Sequence, residues 1–127
     1  MENLEITATK YTPQINFDAG TNILEIKGET YPENTAEFYA PVFTWLDEYI
    51  AQLQDHEVIL NLEITYFNSS SSKVLMDLFD RFEDAHRNGK KITLNWIYDK
   101  DNESVLEYGE EFQEDLEELT LNLITKD

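Results

Sequence analysis

Val58-Ile59-Leu60-Asn61-Leu62-Glu63-Ile64-Thr65-Tyr66-Phe67-Asn68-Ser69-Ser70-Ser71-Ser72-Lys73 is the stretch on which the fold turns. Val58, Leu60, Leu62 and Ile64 recur every second residue, with Asn61, Glu63 and Thr65 between them. That period belongs to a strand with one buried face. A strand sandwiched between two helix layers would be apolar on both faces, so the polar alternates place helices on one side of the sheet. Past Asn68 and the serines the period changes. Leu75, Leu78, Phe79 and Phe82 follow helical spacing, and Asn88-Gly89 is a helix stop. The stretch is therefore a strand running directly into an amphipathic helix.

The same alternation extends outward in both directions. Downstream, Ile92, Leu94 and Trp96 give another half-buried strand. Asp101 or Asn102 caps a third helix, on which Val105, Gly109, Phe112 and Leu116 share a face. Leu119, Leu121 and Leu123 mark a last strand. Upstream, Ile15 and Phe17 alternate with polar residues, Asp18-Ala19-Gly20 supplies a turn, and Ile23 to Lys27 is again extended until Gly28 interrupts it. Tyr31-Pro32-Glu33-Asn34 then leads into a helix carrying Phe38, Val42, Trp45, Leu46, Tyr49 and Leu53. Asn34 is its N-cap, with Glu37 placed to close a capping box. Pro41 removes a helix hydrogen bond, which predicts a kink or an irregular first turn. The predicted order is β-β-α-β-α-β-α-β with no internal repeat. Alternating strands and helices favour parallel pairing through right-handed crossovers. The expected fold is α/β, a single domain over residues 1–127 with three helices mainly on one face of a mixed sheet.

Composition restricts the function. Twenty-seven acidic side chains against nine basic ones give a net charge of −18 on 127 residues. Such a charge repels phosphate backbones and anionic membranes, so neither nucleic acid nor membrane is an expected partner. The one dense basic group, Arg87, Lys90 and Lys91, falls in a predicted loop. No run reaches the ~20 apolar residues of a membrane span, and the acidic start lacks the features of a signal peptide. With 41% apolar residues the chain is not a disordered acidic tail. Zero cysteines exclude disulfides and thiolate chemistry. A cytoplasmic protein is expected.

No catalytic constellation is visible. His86 sits at the far end of the helix that begins with the serines and cannot reach them as a base, and His56, in a charged turn before a strand, reads as an exposed loop histidine. No calcium loop or glycine-rich phosphate loop occurs, and Glu83-Asp84 and Glu110-Glu111 read as solvated helix faces. No cofactor and no metal site is expected. The junction at Asn68–Lys73 is the best candidate site, because a helix start presents free N–H groups and a partial positive charge that suit a phosphate on a serine. Lys73, read as a first-turn cation, opposes the helix dipole at a cost of ~0.3–1 kcal/mol unless an anion joins it. An ordinary capped helix explains the same residues, so the physics alone leaves both readings open.

Four motifs in order carry a resemblance: Gly28-x-x-Tyr31-Pro32-Glu33-Asn34, Asn68-Ser69-Ser70-Ser71-x-Lys73, Asp84-Ala85-His86, and Trp96-x-Tyr98-Asp99-x-x-Asn102-Glu103. Together they resemble the SiaC family of bacterial regulatory phosphoproteins, from about residue 12 to about residue 116. The resemblance implies a fold related to STAS domains, the anti-sigma-factor antagonist class. It also implies a non-enzymatic switch. In that family the hydroxyl residue after the Asn is phosphorylated by a partner Ser/Thr kinase and released by a PP2C-type phosphatase, and the unmodified form activates a diguanylate cyclase, raising cyclic di-GMP. The matching position is Ser69, where the best-known members carry Thr; Ser70 and Ser71 are the alternatives. Tyr31, Glu33, Asn34, Asn68, Ser70 and Lys73 are the candidate partner-binding residues. Two other readings compete: a STAS-type anti-sigma-factor antagonist, and a small carboxylate-dependent enzyme or metal-binding domain.

Overall fold

The strands predicted from alternation pair into one six-stranded sheet. A computed structural model of the chain describes residues 1–126. Its elements are β1 (Leu4–Ile6), β2 (Gln14–Asp18), β3 (Ile23–Thr30), α1 (Thr35–Gln52), β4 (Glu57–Phe67), α2 (Ser69–Arg87), β5 (Lys91–Asp99), α3 (Glu103–Asp115) and β6 (Leu121–Lys126). Strand order follows chain order, β1-β2-β3-β4-β5-β6. The first two pairings are antiparallel and the last three parallel. Every crossover therefore steps to the adjacent strand in the same direction, and a constant right-handed sense puts α1, α2 and α3 on one face. The mixed sheet with three helices is as expected. The additional element is β1, whose three residues are too few to show an alternation.

The predicted inner stripe of β4 is buried: Val58, Leu60 and Leu62 have no exposed surface. Leu75, Phe79 and Phe82 of α2 pack over it as part of the same core, as do Val42 and Leu46 of α1. The opposite face carries a polar row instead. Asn61, Asn95 and Asn122 lie in register on β4, β5 and β6. Their side-chain amides form a ladder with hydrogen bonds of 2.9 and 3.1 Å. Glu63 beside them takes Lys126 at 2.8 Å and Lys27 at 4.0 Å.

Each helix begins at an asparagine. Asn34, Asn68 and Asn102 accept the backbone N–H of Glu37, Ser71 and Val105 at 3.0, 2.9 and 3.2 Å. The third cap is thus Asn102 and not Asp101. These caps fall at equal intervals (68 − 34 = 34 and 102 − 68 = 34), although the intervening sequences show no repeat. Glu37 does close on its cap, but through the Asn34 side-chain amide at 3.3 Å. Pro41 does not interrupt α1, which runs on through it from Thr35 to Gln52. It stands on the exposed side, where water can satisfy the carbonyl that a proline leaves unpaired.

The far end of α2 corrects two expectations. Glu83 is not solvated: it is 4% exposed, and one of its oxygens accepts the backbone N–H of Glu118 and of Leu119 at 2.8 and 3.1 Å. Burial pushes its pKa up, but those two donors and Arg87 outweigh burial and hold it below the usual carboxylate value. Arg87 is the last residue of α2 and not part of a loop. It reaches Glu83, Asp84, Glu117 and Glu118 at 3.6, 3.2, 3.0 and 3.5 Å. Lys90 donates to the Leu53 carbonyl. Two members of the basic group, Arg87 and Lys90, are thus engaged in internal contacts.

On α3, Gly109 solves a packing problem. A Cβ there would come within 2.6 Å of the Trp96 ring, which is fully buried and donates from Nε1 to the Val105 carbonyl at 2.9 Å. Close approach to the indole explains a mid-helix glycine that otherwise costs ~0.5–1 kcal/mol.

Candidate functional site

The site is assembled at the C-terminal edge of the parallel strands, where helix starts converge. Thr30 at the end of β3 is paired with Phe67 at the end of β4. The residues that follow them, Tyr31 and Asn68, therefore enter the edge side by side. In this way the register brings the Tyr31–Asn34 turn next to the Asn68–Lys73 junction, two segments that stand far apart in sequence.

Within the junction the four serines have different fates. Ser69 and Ser70, the first two residues of α2, are exposed. Ser71 is wholly buried. Its hydroxyl lies 3.1 Å from that of Thr30, and Thr30 lies 2.6 Å from the Tyr39 hydroxyl on α1. The Tyr39 pKa is pushed up to about 12 by burial, against the opposing bond to Thr30, so it is a neutral member of this chain. Ser71 is thus removed as a modification candidate, because its oxygen is spent inside the fold. Ser72 is half-buried.

Lys73 is the fifth residue of α2, so it sits at the start of the second turn and not in the first. Its relation to Ser69 is i to i+4, which places both on one helix face. The penalty expected for a first-turn cation does not arise. The first turn of α2 carries no acidic residue, whereas α1 has Glu37 and α3 has Glu103 in theirs. Acidic side chains favour helix starts. In a chain with 27 of them, the start bearing Ser69 is the one left free of negative charge.

The other candidates divide between structural and surface roles. Asn34 and Asn68 are both engaged as caps, and Asn68 is half-buried. Glu33 is exposed and lines a groove together with Tyr31. Tyr31 is half-buried and donates to Glu29 at 3.2 Å. Desolvation first, and the Glu29 charge second, raise its pKa.

Two tyrosines at this edge went unrecognised in the sequence as members of the site. Between β3 and β4 the register slips at Gly28/Glu29, leaving Thr65 as an extra residue between the Ile64 and Tyr66 pairings. Gly28, at φ 122°, adopts backbone that other residues rarely take. The bulge resets the alternation, so Phe67 is buried while Tyr66 is exposed beside Tyr31. Tyr11 packs on the other side of Tyr31. The available signal was the broken alternation Ile64-Thr65-Tyr66-Phe67. Phe67 in turn packs at 4.6 Å on Tyr108, which is exposed on α3. The chain just before Ser69 is therefore flanked by exposed aromatic surface.

α2 separates His86 from Ser69 by seventeen residues, about 25 Å of helix. Among the described residues no three His, Asp or Glu side chains gather in a metal-holding group. Nor, among the described residues, is any helix long and apolar enough to cross a membrane.

A sequence profile described as the SiaC family regulatory phosphoprotein matches residues 6–126. The chain belongs to this family. A Pseudomonas aeruginosa protein described only as uncharacterized is 40% identical over 115 residues, covering 91% of this chain and 90% of its own. Apo-SiaC from Pseudomonas aeruginosa superposes with a TM-score of 0.90 at 35% identity, over 98% of this chain and 100% of that one. The SiaC that was crystallised with the diguanylate cyclase SiaD, as its activator, gives a TM-score of 0.91 at 36% identity, over 97% and 99%. Membership of the SiaC family agrees with the resemblance carried by the four motifs, and the match extends it almost to both ends of the chain.

Proposed function

We propose that this SiaC-family protein is a non-enzymatic cytoplasmic switch, which docks on a diguanylate cyclase when Ser69 is unmodified and is held off when Ser69 is phosphorylated. The observation that carries the reading is the exposed Ser69 hydroxyl at an acid-free helix start, in a member of a family of regulatory phosphoproteins. The partner is suggested by the relative that was crystallised with a diguanylate cyclase as its activator. A Ser/Thr kinase and a PP2C-type phosphatase would write and erase the mark. Ser70, also exposed, is the second choice.

The local physics suits such a mark. A phosphate brings about −1.5 to −2 charges at neutral pH and strong acceptor oxygens. The free N–H groups of the first turn of α2 and the Lys73 ammonium on the same face can receive it without unfolding the domain. A dianion there is strongly hydrated. Covering it with a protein surface strips that water, and the desolvation cost opposes docking. The switch therefore works through hydration and bulk at one edge of the sheet, not through the total charge of a chain that is already at −18.

The test is a binding titration with purified SiaD from Pseudomonas aeruginosa as the probe. The unmodified protein is expected to bind and stimulate cyclic di-GMP synthesis. Protein phosphorylated at Ser69, or carrying Ser69→Asp, is expected to bind at least tenfold more weakly. Equal affinity of the modified and unmodified forms would sink the switch.

A further inference from the structure

Tyr31 is the centre of an aromatic row. Its ring meets Tyr11 at 5.3 Å and Tyr66 at 5.2 Å, with interplanar angles of 83° and 85°. The outer rings are 50% and 54% exposed, among the most open large side chains of the protein. Backbone contacts hold the row in place. The Tyr31 N–H donates to the Tyr11 carbonyl at 2.8 Å, and the Thr9 hydroxyl accepts the N–H of Tyr11 and of Thr12 at 3.3 and 3.2 Å. The bulge at Thr65 turns Tyr66 toward the other two. Edge-to-face stacking leaves ring faces open to a visitor. A groove of about 590 Å³ runs beside them, lined by Thr9, Tyr11, Thr12, Tyr31, Pro32 and Glu33.

Charge says what kind of visitor fits. Glu29 holds the Tyr31 hydroxyl and Glu33 lines the groove, so carboxylates border the rings. Aromatic faces attract cations, and arginine more often than lysine. The molecule already contains a weak example: the Lys10 ammonium lies over the Tyr11 ring, 5.7 Å from its centre. The whole chain adds a field of −18.

We infer that the tyrosine row and its groove seat a basic segment of the protein partner, with arginine or lysine side chains lying on the Tyr11 and Tyr66 faces and their charges directed at Glu29 and Glu33. The inference rests on the proposed docking edge and specifies the chemistry of what docks there. A second copy of this chain is a poor occupant, because it would bring the same excess of negative charge. Tyr11 and Tyr66 are the anchors, since aromatic residues commonly carry most of an interface's affinity.

The experiment measures affinity for purified SiaD from Pseudomonas aeruginosa by calorimetry, at two salt concentrations, with melting curves to show each variant folded. Tyr66→Leu and Tyr11→Leu keep apolar bulk and lose the ring; each is expected to weaken binding about tenfold. Tyr66→Phe and Tyr11→Phe keep the ring and are expected to stay within about threefold of the unsubstituted protein. Added salt is expected to weaken binding, less steeply in Glu33→Gln. Leucine variants that bind like the parent overturn the inference while leaving the switch reading intact. So do phenylalanine variants as weak as the leucine ones, and so does affinity indifferent to salt. Loss of self-association in place of SiaD binding makes a second copy the occupant and also overturns it. Absence of binding by the unsubstituted protein removes both the inference and the switch reading.

Discussion

The two ends of α2 are built on opposite principles. At the Arg87 end nearly every charge is engaged: Glu83 clamps two backbone N–H groups of the segment before β6, and Arg87 joins four carboxylates. At the Ser69 end a single neutral cap and a buried hydroxyl chain suffice, and the outermost hydroxyls are left exposed. One end is fastened at its surface, by charges that reach the segment before β6. The other is fastened on its buried side, through the Asn68 cap and the Ser71–Thr30 contact, so its outer surface can change without disturbing what holds it. That separation is what a modifiable surface requires, and each part of it can be probed by substitution.

The largest effect is expected at the fastened end. Glu83→Ala strands two backbone donors and should lower stability by about 3 kcal/mol in urea unfolding. The same carboxylate sets a pH dependence. Its folded pKa lies below the ordinary value of 4.5, so its contribution is complete above pH 4.5 and fades as pH falls through the lower folded value. Glu83→Gln should flatten that acid limb. Next in size is Asn68→Ala, which removes the cap of α2. It should cost about 1 kcal/mol and speed amide exchange in the first turn of α2, while the amides of Glu118 and Leu119 stay protected. The smallest effect belongs to Ser69 itself. Ser69→Ala should change stability by no more than about 0.5 kcal/mol, and Ser69→Asp should stabilise by about 0.3–1 kcal/mol through the helix dipole. A loss above about 1 kcal/mol for either variant would break the comparison, because it would make the open end structural too.

Local chemistry made most of the fold legible. The stripe from Val58 to Ile64, the Asn34 cap and the Asn88-Gly89 stop each act within a few residues, so the strand and helix order followed from them. The polar alternates of β4 even foretold the uncovered face, now seen as the Asn61–Asn95–Asn122 ladder. What escaped depends on partners distant in sequence. β1 is a strand only because Leu4–Ile6 finds β2. Glu83 resembles any helix-surface acid until the segment thirty-five residues later brings its N–H groups. At the candidate site the junction was readable from Asn68 and the serines. The burial of Ser71 required Thr30 from a neighbouring strand, and the tyrosine row required a register slip whose trace in the sequence is the broken alternation Ile64-Thr65-Tyr66-Phe67.

The even spacing of Asn34, Asn68 and Asn102 gives the junction a different standing. The protein is three renderings of one strand-to-helix phrase, each opening on the same residue in the same role. Two of them follow the asparagine with an acid in the first turn, as helix starts commonly do. The middle one substitutes hydroxyls. On the proposed reading, the regulatory input sits in the one phrase of three whose first turn holds no acid, on an architecture shared with the other two.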